Sequence, residues 1–92
     1  MKDLCLTEES FIKLKSLIMC ENLWQLEKWG IQEHEPVWWL AFATEELGEL
    51  SDAISEFTFR GGNCEAIIKE AIQTATLCLK IAEMFQNLKE GE

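Results

Sequence analysis

Apolar residues recur along this chain at intervals of three and four, the signature of helices rather than strands. In "ESFIKLKSLIMCENLWQLEKW", Phe11, Leu14, Ile18 and Met19 repeat at helical intervals, followed by Leu23, Leu26 and Trp29. The pattern predicts a helix over about 8–29. Thr7 is placed to cap it, Glu8 and Glu9 favour its first turn, and Gly30 terminates it. An alternative is two shorter helices meeting near Cys20. "GIQEHEP" reads as a loop, and Pro36 suits the first turn of a second helix over about 37–58. Along that helix Leu40, Ala43, Leu47, Leu50, Ile54 and Phe57 form a seam of heptad type. "RGGN" at 60–63 breaks the chain before a third helix over about 64–88.

The third helix carries two apolar stripes. Ile68, Ala71, Ala75, Cys78 and Ala82 are expected to face the second helix. Leu77, Ile81, Met84 and Leu88 then need another partner, expected to be a second subunit. The expected fold is all-α: an antiparallel bundle of three main helices in one domain, residues 1–92, completed by oligomerisation.

Composition narrows the function. Seventeen acidic and 8 basic residues leave a net charge of −9. That argues against a nucleic-acid polymer and an anionic membrane surface as partners, since both need clustered Lys and Arg. No stretch approaches the ~20 apolar residues of a membrane span. Cys5, Cys20, Cys64 and Cys78 show no CxxC spacing and His34 is the single histidine, which argues against structural zinc. With no signal peptide in "MKDLCLTEES", free thiols and a cytoplasmic location are expected.

The acidic residues are not evenly spread. "EELGEL" at 45–50 sets Glu45, Glu46 and Glu49 within two helical turns. Glu46 falls at the edge of the Leu47/Leu50/Ile54 seam. On the third helix, Glu70 heads the second stripe with Gln73 as its i+3 neighbour. If the two helices run antiparallel, Glu46 and Glu49 come level with Glu70 and Gln73, about 18 Å from the connecting loop. Like charges this close repel and raise one another's pKa unless a cation intervenes. A hard divalent cation such as Mg²⁺, with Mn²⁺ as the alternative, suits such oxygen donors. The plain alternative is a solvated acidic face, but lysines able to pair with it are scarce nearby.

These residues resemble a known family. Glu45-Glu46-x-x-Glu49 followed by Glu70 is similar to the EExxE…ExxD signature of the MazG-like all-α nucleotide pyrophosphohydrolases. "KWGIQEHEP" at 28–36 resembles the KWGxQxH segment of one small branch, and the likeness extends from about Gln25 to Met84. The resemblance implies hydrolysis of a nucleoside triphosphate, ribo or deoxy, to the monophosphate and pyrophosphate. It implies Mg²⁺ held by carboxylates of two antiparallel helices, and a homodimer or homotetramer with sites near subunit boundaries. Carried over residue by residue, Glu46, Glu49 and Glu70 are the expected metal ligands. Glu45 is expected to hold a second metal or orient the attacking water. Gln73 stands where the family has aspartate. Its amide offers an oxygen without a charge, so metal affinity is expected to fall. The KWGxQxH branch often carries glutamine there, which keeps activity compatible with the change.

For the substrate, Lys28 and Arg60 are candidates to meet phosphate oxygens. Lys69 and Lys80 are expected to project from the outer face of the third helix. Trp29, Gln25, Gln32 and His34 are candidates for the base and sugar pocket, because an indole stacks on a base and an amide reads its edge, with His34 reading equally as a residue that caps the loop. Trp24, Trp38 and Trp39 are expected in the core or a subunit interface. A different class of function remains as the alternative: a non-catalytic helical interaction module, or a nucleotide binder with a weakened metal site.

Overall fold

A computed structural model describes all residues from Met1 to Glu92. Three helices account for nearly the whole chain: α1 (Glu8–Trp29), α2 (Pro36–Phe59) and α3 (Cys64–Glu90), with no strand. α1 is one helix, without a break at Cys20. Its first turn is closed by Thr7, whose hydroxyl accepts from the Ser10 N–H at 3.2 Å. Gly30 ends it at φ 69°, a left-handed conformation that costs glycine nothing. Pro36 opens α2. Asn63 caps α3 by accepting the Ala66 N–H at 2.9 Å.

The α2–α3 connection is short because two glycines close it. Gly61 adopts φ 73°. Gly62 lies so near the end of α2 that a Cβ there would sit 2.9 Å from the Glu56 carbonyl carbon and from the Phe57 nitrogen. Its N–H donates to the Glu56 carbonyl at 2.9 Å. The chain therefore reverses within four residues and lays α3 antiparallel to α2.

α3 is the central element. α1 and α2 each pack on it, but they make no close backbone approach to each other. The two most buried residues, Thr76 at 2% and Leu77 at 8% exposure, lie midway along α3. The Thr76 hydroxyl is satisfied within the helix, donating to the Ile72 carbonyl at 2.7 Å.

The faces differ from those expected. On α2, the side toward α3 is the half-buried run Trp39, Phe42, Ala43, Glu46, Leu50 and Ala53. From the predicted seam, Leu40, Leu47 and Ile54 are 65%, 58% and 46% exposed. On α3, Ile68 lines a groove with Leu17, Cys20 and Trp24 of α1. Cys78 is exposed. The cause is that α2 and α3 are apolar on more than one side, and periodicity does not say which side meets a neighbour in the same chain.

A single chain leaves much of this apolar surface open. Its accessible area is 7727 Å², against roughly 5,500 Å² for a compact protein of this mass. The radius of gyration is 14.9 Å, against about 12 Å for a compact domain of this length.

Candidate functional site

Because α1 and α2 both lean on α3 without meeting, a wedge opens between them with α3 as its floor. The wedge is a cleft of about 680 Å³, within the range of small-molecule sites. One wall comes from Gln25, Trp29 and Gln32, the other from Trp39, Phe42, Glu45 and Glu46, and the floor from Gln73, Leu77, Lys80 and Met84.

At the Glu45/Glu46 side, α2 and α3 bring three carboxylates together. One oxygen each from Glu46, Glu49 and Glu70 lies within 4.8 Å of the others. Glu49 is exposed, while Glu46 and Glu70 are half-buried. The local sequence dictates this arrangement. Glu46 and Glu49 share a face of α2, and the four-residue reversal sets the register that delivers Glu70 opposite them. Oε2 of Glu46 and Oε2 of Glu70 are both sealed from solvent and accept no hydrogen bond.

The electrostatics follow from that placement. The Glu46 carboxyl is pushed above its ordinary value by burial first, then by the charges of Glu49, Glu70 and Glu45. The Glu70 carboxyl is also pushed up, by burial and then by Glu49. Across the cleft floor, burial lowers the Lys80 ammonium, partly offset by Glu21.

The other sequence candidates are distributed as follows. Gln73 lies one turn along α3 from Glu70, half-buried in the cleft lining. Gln25, Trp29, Gln32 and Glu45 line the cleft as well. His34 stands behind the wall rather than in it. Its ring pairs with Gln32 Oε1 at 2.8 Å and meets Trp39 and Phe42 edge-on at 5.2 and 5.0 Å. Its carbonyl accepts the Trp39 indole N–H at 3.2 Å. Lys28 sits over both Trp24 and Trp29, 4.7 Å from each ring, and is not in the lining. Arg60 is at the loop end of α2, paired with Glu56 at 2.9 Å, and does not reach the cleft.

Two residues that matter here are placed differently from expectation. Lys80 lines the cleft instead of projecting outward, and Trp39 forms part of its wall. A signal for Lys80 was present. Glu70, Gln73, Leu77, Lys80 and Met84 are spaced three, four, three and four apart, one continuous face of α3.

No family model, no curated protein and no solved structure matches this chain.

Proposed function

We propose that this protein is a divalent-metal-dependent nucleoside triphosphate pyrophosphohydrolase that releases the monophosphate and pyrophosphate. The observation that carries the proposal is the convergence of the Glu46, Glu49 and Glu70 carboxylates beside a cleft of ligand size, with one buried, unpartnered oxygen on each of Glu46 and Glu70. Buried oxygens without partners are costly, and a cation is the partner that satisfies both at once. The donor set is all oxygen, which fits Mg²⁺ or Mn²⁺. Glu46, Glu49 and Glu70 hold the ion, with the Gln73 amide as a neutral auxiliary. When bound, the ion supplies the positive charge that draws phosphate oxygens into an acidic cleft and acidifies a water.

The chain's own residues do the rest. Glu45, exposed on the cleft rim, orients the attacking water. The water oxygen bonds to the α-phosphorus and gives up its proton to solvent as the bond to the bridging oxygen breaks, and pyrophosphate leaves. Trp29, Trp39 and Phe42 offer aromatic faces to the base, and Gln25 and Gln32 offer amides to its edge. The assembly is a homodimer or homotetramer. The excess of roughly 2,000 Å² of accessible surface per chain is of the size that obligate interfaces cover.

The test is turnover. Purified protein with Mg²⁺ is offered ribo- and deoxynucleoside triphosphates, and monophosphate and pyrophosphate are quantified. Glu49→Ala should lose on the order of 100-fold, the scale of removing one transition-state charge contact. No turnover of any nucleotide, together with no Mg²⁺-dependent change in melting temperature, would leave the second reading. That reading is a helical interaction module, and the exposed Leu40, Leu47 and Ile54 favour it.

A further inference from the structure

Lys80 is the one basic side chain lining the cleft. Its Nζ donates to Gln25 Oε1 at 2.6 Å, a bond that ties α3 to α1. Gln25 is held from its other end, where Nε2 donates to Glu21 Oε2 at 2.9 Å. An ammonium has three donors, and Gln25 takes one of them. No carboxylate is in ion-pair reach of Lys80; the ion pair in this chain is Arg60–Glu56. A half-buried cation with spare donors therefore faces the cleft.

Its distance from the carboxylates says which part of a ligand it meets. Glu46 and Glu49 both meet Glu70, which sets the register of α2 against α3. Ten residues away along each helix, about 15 Å along the axis, Lys80 comes level with the first turn of α2, Pro36 to Trp39. Phosphates belong at the carboxylate end, so the aromatic end receives the base.

We propose that Lys80, positioned by Gln25, is a specificity-determining residue that donates to the carbonyl at C4 of a pyrimidine or C6 of a purine, so that the site selects keto bases over their amino counterparts. The inference rests on the nucleotide reading above and adds the class of base. Its chemistry is one of matching polarity. An ammonium only donates, and the exocyclic amino groups of cytosine and adenine also only donate. An amino group at that position would leave two donors facing each other in a half-buried place, and such mismatches discriminate far more strongly than size does.

Two matched pairs test this: the α,β-imido analogues of dUTP and dCTP, and of dITP and dATP, which resist cleavage. Their dissociation constants are measured in Mg²⁺ by titration calorimetry. In the pair that binds more tightly, the keto member should lead by on the order of tenfold or more. Lys80→Met should abolish that preference. Lys80→Gln keeps a donor for Gln25 and adds an acceptor, so it should shift the preference toward the amino member. Both variants should keep the melting shift that Mg²⁺ alone produces, which shows that they fold and hold the ion. Equal affinities in the wild type, a wild-type preference for amino bases, or a preference surviving both substitutions would overturn the assignment. A uniform loss of all four ligands in both variants would overturn it too, making Lys80 a phosphate contact. If wild-type protein binds none of the four, the nucleotide reading itself fails.

Discussion

Glu46 on α2 and Glu70 on α3 each bury one carboxylate oxygen without a hydrogen-bond partner, and their carboxylates approach to within 4.8 Å of each other. In the absence of a cation this arrangement opposes folding, because desolvation and like charge act in the same direction. Glu70→Gln removes one of the charges. In metal-free buffer the variant should be stabilised by on the order of 1 kcal/mol, or about 4–8 °C in melting temperature. It should also lose the rise expected of the wild type in Mg²⁺. Differential scanning calorimetry with chelator and with Mg²⁺ reads both effects. A metal-free Glu70→Gln protein that melts lower than wild type would contradict the account of the cluster.

The same relationship sets a pH dependence. Both carboxyls have folded-state values raised above the ordinary 4.5. Above that value the folded chain still holds protons that the unfolded chain has released. Stability therefore falls as pH rises from about 4.5 through the raised values. In chelator, the wild-type melting temperature should fall more between pH 4.5 and 7 than that of a Glu46→Gln/Glu70→Gln double variant. The difference isolates these two groups from the general acidity of the chain. Saturating Mg²⁺ should remove most of it, since the ion binds the deprotonated form. Parallel curves for the two proteins in chelator would show that neither carboxyl is shifted.

Gly62 makes the register, and its substitution should be felt in the fold. A Cβ at Gly62 would meet backbone atoms of Glu56 and Phe57 at 2.9 Å. Gly62→Ala should cost about 1–3 kcal/mol. Gly48→Ala meets nothing within 4 Å in the interior of α2, and should gain about 0.5–1 kcal/mol from helix propensity. Thermal melts of the pair, read against wild type, check the contrast. Equal effects would mean that the close approach at the α2–α3 turn is not required.

The open side of α2 predicts an assembly. Leu47 is 58% exposed on the same side as Leu40 and Ile54. Light scattering should find the wild type at two or four times the 10.6 kDa chain mass. Leu47→Glu should move it toward a single chain and lower its melting temperature, because charge at an apolar interface is left unpaired. A wild-type monomer at micromolar concentration would remove the oligomer from the proposal.

The chain's local chemistry determined its elements. Thr7, Gly30, Pro36, Gly61, Gly62 and Asn63 mark helix boundaries through capping and backbone geometry, and those effects act within a few residues. The convergence of Glu46 and Glu49 with Glu70 was legible for a related reason. A short reversal between two helices leaves register as a matter of counting, and each helix holds its faces at a fixed period. What the tertiary structure alone decided is which apolar face each helix turns inward, and where the third helix leans. The exposed Leu40, Leu47 and Ile54 and the inward Phe42 and Trp39 have equally apolar patterns, and only packing against α3 separates them. The cleft arises because α1 and α2 both dock on α3 and not on each other. No spacing within one helix encodes that, so the Gln25–Lys80 contact, 55 residues apart, emerged only from the folded chain.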